Sequence, residues 1–133
     1  MAFERKLARE LTFTAAVLGG SLEHNPWFEY KSPSSDKWAC LVPDMILFVS
    51  GFAFVIEAKL TYVPEAREKL RNEYVPIVRA GLASVPWIVV CPLVIVRNLT
   101  PDVGQRAERL SDATANLHDI PVLAWRGETN ILW

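Results

Sequence analysis

Apolar positions recur at helical spacing from the start of the chain. Phe3, Leu7, Leu11, Ala15 and Leu18 share one face of a helix over residues 2–18, with Arg5, Lys6 and Arg9 on the other face. Gly19-Gly20 is a stop signal. Residues 21–36 read as a loop around a short strand near Trp27–Tyr30, with turn residues over Ser32–Asp36. Lys37–Val42 reads as a strand. Two apolar runs follow, Asp44–Val49 and Phe52–Leu60, separated by Ser50-Gly51, which is a β-hairpin signal. Both runs are apolar on both faces, as suits central strands covered by helices on either side.

The period then returns to helical. A helix is predicted from about Pro64 to Gly81, with Thr61 as a candidate cap and Pro64 in the first turn. Pro76 should kink or break it. Trp87–Cys91 reads as a buried strand ending at Pro92. A third helix starts at Thr100-Pro101-Asp102, with Val103, Ala107, Leu110, Ala113 and Leu117 inward. Pro121–Trp125 is a further strand, and Ile131–Trp133 a short one. The order predicts a single α/β domain over residues 1–133, with a central mixed sheet flanked by helices.

The hairpin places charge where the pattern is otherwise apolar. With Ser50-Gly51 as a two-residue loop, Val49 pairs with Phe52, and counting outward sets Asp44 opposite Glu57. Facing residues have Cβ atoms about 4.5–5.5 Å apart on one face of the sheet. Lys59 lies two residues beyond Glu57 and shares that face. Like charges set opposite one another destabilise a sheet. A divalent cation resolves the conflict, since Mg²⁺ takes one or two carboxylates together with waters and phosphate oxygens. The alternative is a surface ion pair at a strand end, worth ~0–1 kcal/mol.

Pro43-Asp44, a gap of twelve residues, and Glu57-Ala58-Lys59 resemble the motif of the PD-(D/E)XK nuclease superfamily. The resemblance implies a restriction-endonuclease-like core of a helix, a β-meander, a helix and a further strand, similar to the order above over roughly residues 2–95. It implies that Asp44 and Glu57 ligate Mg²⁺, with Mn²⁺ as a substitute, assisted by the backbone carbonyl of Ala58, and that Lys59 is catalytic. Many members add an acid from the first helix. At about 100° per residue Glu4 falls within the arc of Phe3, Leu7, Leu11 and Ala15, while Glu10 falls at its edge. Glu4 is therefore the candidate and Glu10 the second. Small phage and archaeal Holliday-junction resolvases place the acid similarly early. That branch implies a DNA endonuclease acting as a homodimer, one site per strand. Some branches carry a Gln and a Tyr on the helix after the motif. Tyr74 matches, but no Gln precedes it in Leu70–Tyr74.

Composition qualifies this reading. Apolar residues make up 51% of the 133 and charged residues 22%, a globular balance. Net charge is −1, less basic than most nucleic-acid-binding domains, so distribution matters more than the sum. Candidate DNA contacts are Tyr30, Lys31 and Lys37 around the loop that leads to the site, and Arg67, Arg71 and Tyr74 on the second helix. Lys69 and Arg79, and Arg5, Lys6 and Arg9 on the first helix, belong to the same basic faces. Glu65, Glu68 and Glu73 interleave with the second-helix cations, which equally describes a solvated face.

Other chemistries lack their residues. Cys40 and Cys91 have no metal spacing, His24 and His118 are isolated, and neither a GxSxG elbow nor a GxxxxGK(S/T) loop occurs. No stretch reaches the roughly 18 apolar residues of a membrane span. Glu4 and Glu10 interrupt the N-terminal segment, whose apolar run is too short for a secretory core. A cytoplasmic protein of a bacterium or phage-infected cell is expected. The five tryptophans and the apolar Ile131-Leu132-Trp133 suggest self-association. The rival reading is a non-catalytic module that keeps the fold for nucleic-acid or protein binding. A third keeps the chemistry in a nuclease subunit of a larger complex.

Overall fold

The computed structural model describes residues 2–32, 34–98 and 120–125. Helix α1 (Ala2–Val17) buries Leu7, Ala8, Leu11 and Ala15 along one stripe. Leu18, expected on that stripe, lies past the last turn and is exposed. The helix ends in a Schellman motif. Gly20 donates its N–H to the Ala15 carbonyl and Gly19 to that of Ala16, with Gly19 at φ 77°. Gly20 is glycine for a different reason, because a Cβ there would sit 2.0 Å from the Phe48 carbonyl oxygen.

Residues 21–36, expected as a loop around one strand, hold two. Strand β1 (Ser21–His24) runs antiparallel to β4 (Met45–Val49). Strands β2 (Phe28–Lys31) and β3 (Trp38–Leu41) pair with each other in a separate two-stranded sheet. The meander expected from residues 37–60 is corrected accordingly: β1, not β3, is the neighbour of β4. The hairpin of β2 and β3 leaves the main sheet and packs through Leu41 and Phe28 on the apolar cluster around Val75 and Val78.

The register of β4 with β5 (Phe52–Thr61) is the expected one, from Val49↔Phe52 to Met45↔Ile56. Ser50 at φ 50° and Gly51 at φ 82° are both left-handed, as a two-residue type I′ turn requires. Strand β6 (Val89–Asn98) runs parallel to β5, and β7 (Val122–Ala124) parallel to β6. The mixed sheet has the order β1-β4-β5-β6-β7.

Helices cover both faces. On one face α1 packs over Met45, Ile56, Ala58 and Ile95. On the other, Ile46, Val55, Val94 and Val96 lie under Ala66, Leu70, Tyr74 and Val78 of the β5–β6 crossover. This explains why β5 is apolar on both sides and why Glu57, inside that run, is conspicuous. The crossover comprises α2 (Pro64–Lys69), a π turn (Leu70–Tyr74) and α3 (Val75–Gly81). Val63, not Thr61, occupies the cap position, and Thr61 belongs to β5. Pro76 does not break the helix. One residue before it, Val75 donates its N–H to the Leu70 carbonyl five residues back, so the chain absorbs the missing donor by widening one turn.

Strand β6 also corrects an expectation, since it continues through Pro92 rather than ending there. Val94 donates its N–H to Pro121, on the β7 side. Pro92, two residues earlier, turns its donorless nitrogen to that same side, beyond the reach of β7, where a ladder bond is not lost. Trp87 precedes the strand and is 70% exposed. The helix expected from residue 100, His118 and the strand at 131–133 lie outside the described residues. Among the described residues no helix is long and apolar enough to cross a membrane.

Candidate active site

The site is built at one end of β4 and β5. The register ends at Met45↔Ile56, and Asp44 is a bend residue immediately before β4, near enough for its charge to act on Glu57. Glu57 alternates with Val55 along β5 and so lies on the sheet face covered by the crossover helix. Asp44 Oδ2 accepts the Ala58 N–H at 2.8 Å, so the side chain extends the ladder where the backbone of β4 departs. The N–H and carbonyl of one strand residue face the same neighbour, so the Ala58 carbonyl also faces the Asp44 side. Lys59 Nζ lies 3.8 Å from Glu57 Oε2.

A third carboxylate comes from across the sheet. Glu4, in the first turn of α1, reaches the open end of β4 and adds to the raised pKa of Asp44 by charge and by hydrogen bonding. Two residues of the β1 end hold it. His24 Nε2 is 3.5 Å from Glu4 Oε1. Asn25, at φ 53°, donates its backbone N–H to the Asp44 carbonyl at 2.9 Å. Oriented by its partners, its amide nitrogen lies 3.3 Å from both that carbonyl and Glu4 Oε1. Glu10 points elsewhere and accepts a hydrogen bond from Trp125 Nε1. His24, isolated along the sequence, is thus beside the acids. Only the unforeseen pairing of β1 with β4 brings it there.

Burial sets the electrostatics. Glu57 is 2% exposed, and burial followed by the charge of Asp44 pushes its carboxyl up to about 7, against the pull of Lys59 and Lys69. Burial also raises Asp44, against the lowering effect of the Ala58 N–H. Glu57 Oε1 is buried with no hydrogen-bond partner. An unpartnered carboxylate oxygen in such a place is costly.

The chain matches no family model, no curated protein and no solved structure. The donor set must therefore be judged by its own chemistry. Among the described residues no three His, Cys, Asp or Glu side chains are grouped so that they could hold a metal ion between them. The carboxylates of Asp44 and Glu57, the latter with an orphaned oxygen, and the Ala58 carbonyl fit Mg²⁺, which keeps several waters and binds few protein oxygens.

The other candidate residues divide. Tyr74 is buried and borders the site, where burial followed by the charge of Glu57 raises its hydroxyl. Arg71 is exposed on the π turn. Arg67 is corrected from a phosphate-tracking cation to a core residue. It is 4% exposed, and its Nη1 donates to the Tyr62 hydroxyl at 3.1 Å. Tyr30 packs half-buried against the core, and Lys31 pairs with Asp36 at 3.2 Å. Lys37 is exposed just before β3. No hydrogen bond or ion pair joins these three to Asp44 or Glu57. A cleft of about 500 Å³ adjoins the site, lined by Lys59, Glu65, Glu68, Lys69, Asn72 and Glu73 among others.

Proposed function

We propose that this chain is a divalent-metal-dependent DNA endonuclease of the PD-(D/E)XK type. One observation carries the reading. The buried Glu57 feels the charge of Asp44, has Lys59 Nζ at 3.8 Å, and one of its oxygens has no partner. A purely structural ion pair needs one acid and one base. It gives no reason to bury a second acid against the first. The antiparallel β1, β4 and β5, followed by a crossover helix and the parallel β6, support the same reading.

In it, Asp44, Glu57, Glu4 and the Ala58 carbonyl hold Mg²⁺ or Mn²⁺. When bound, the cation supplies charge neutralisation at phosphoryl oxygens and lowers the pKa of a bound water. Glu57 must lose its proton to serve, which the neighbouring Lys59 favours. Lys59 orients the attacking water and offsets charge on the phosphate. His24 and Asn25 fix Glu4 and the Asp44 backbone. A homodimer with one site per DNA strand belongs to the same proposal.

The rival, a non-catalytic module with this architecture, draws on the three glutamates of the cleft and the net charge of −1. Incubation of plasmid and branched DNA with Mg²⁺ separates the two. Strand cleavage abolished by EDTA supports the nuclease. Its absence with every substrate in both Mg²⁺ and Mn²⁺ favours the module.

A further inference from the structure

Lys69 sits on a helix face rich in acids. Glu65 precedes it by four residues and Glu73 follows it by four, the spacings at which opposite charges pair. Yet the ion pairs among the described residues join His24 to Glu4, Lys31 to Asp36 and Lys59 to Glu57, and none takes Lys69. Its ammonium lies instead 5.6 Å from the centroid of the Tyr74 ring.

The π turn makes that contact. Lys69 and Tyr74 are five residues apart, and five residues of α-helix turn through about 500°, leaving their side chains about 140° apart around the axis. The π turn over Leu70–Tyr74 closes with a five-residue hydrogen bond and brings the two onto one face. Pro76 follows directly after Val75, whose N–H closes the turn on the Leu70 carbonyl. The ammonium is thereby set over the Tyr74 ring in the cleft that Lys59 also lines, and the Tyr74 hydroxyl, then the charges of Glu57 and Glu73, favour its protonated form. Three N–H donors on a lysine leave capacity beyond one phenol oxygen.

We propose that Lys69 is a second phosphate-contacting cation of the site, held by Tyr74 at the cleft it shares with Lys59 and directed to a backbone phosphate of the strand lying there. This rests on the nuclease reading, which supplies the strand. The cleft glutamates cancel its long-range field, so a local ammonium contact carries a large share of the phosphate binding.

The test is the salt dependence of DNA binding. In a D44N background, which prevents cleavage, a short labelled duplex is titrated in Mg²⁺ over a series of salt concentrations, with and without K69Q or K69R. Each lost phosphate contact lowers the slope of log affinity against log salt by about one. K69Q is expected to lower it by about one with an unchanged melting temperature, and K69R to retain it. In the cleaving protein, K69Q is expected to raise KM about tenfold or more with little change in kcat. An unchanged slope, or an unchanged KM, in folded K69Q overturns the role of Lys69 while DNA cleavage by the native chain still stands. A native chain that neither binds nor cleaves DNA overturns the nuclease reading, and this inference with it.

Discussion

Asp44 lies just past the end of the β4–β5 ladder, and its charge adds to the burial that raises the Glu57 carboxyl to about 7. The pair has a thermodynamic consequence in the absence of metal. Glu57 has a folded-state pKa of about 7 against an ordinary 4.5. A raised acid contributes stability that is full below about pH 4.5 and is lost as pH rises through about 7. In EDTA, E57Q should therefore melt above the native protein at pH 8, by at most on the order of 3 kcal/mol. The two should converge near pH 4.5. If E57Q melts lower at pH 8, the charge on Glu57 is a structural partner of Lys59 instead.

Asp44 allows a sharper separation of chemistry from folding. Asn at this position keeps an oxygen to accept the Ala58 N–H and sheds a charge that burial disfavours. In EDTA, D44N should melt at or above the native temperature. Its cleavage in Mg²⁺ should fall at least 10–100-fold, roughly the loss seen for residues one step removed from a metal. D44A also loses the bond to Ala58, at about 1 kcal/mol, so a drop in its stability alone says nothing about catalysis.

The two acids of α1 should behave differently. E4Q should weaken Mg²⁺ binding, measured calorimetrically, by about 10–100-fold if Glu4 acts on the ion directly or through water. E10Q should leave Mg²⁺ affinity unchanged, because Glu10 is engaged with Trp125. Equal effects from both would mean that the assignment by face does not describe the site.

Arg67 gives a negative control for DNA contact. Its truncation to Ala removes the bond to the Tyr62 hydroxyl and empties a buried position, so R67A should lose roughly 1–3 kcal/mol of stability. The salt slope of DNA binding should stay unchanged in the folded fraction. A reduced slope would return Arg67 to the phosphate-binding face.

The readable parts of this fold are those fixed by local geometry. A two-residue turn sets a hairpin register, so the pairing from Val49↔Phe52 to Met45↔Ile56 follows from counting. A regular helix assigns faces at about 100° per residue, so Glu4 could be distinguished from Glu10. The unreadable parts depend on partners distant in sequence. Ser21–His24 is a largely exposed strand with little apolar pattern, held by pairing to β4, and His24 and Asn25 reach the acids only through it. Nothing local in Lys37–Val42 says that β3 pairs with β2 instead of β4. Arg67 and Lys69 stand two residues apart in one charged run. The first is drawn into the core, whereas a π turn sets the second over the Tyr74 ring, and neither outcome is visible in hydropathy.

The most direct measurement is plasmid cleavage by the native chain, D44N and E57Q, each with Mg²⁺ and with EDTA, alongside melting curves of all three. The expected result is metal-dependent strand breaks by the native protein alone, with both variants folded and inactive. Folded native protein that leaves plasmid and branched DNA intact in Mg²⁺ and Mn²⁺, or variants that cut as well as it does, would contradict the assignment of Asp44 and Glu57 as the metal-binding acids of a nuclease.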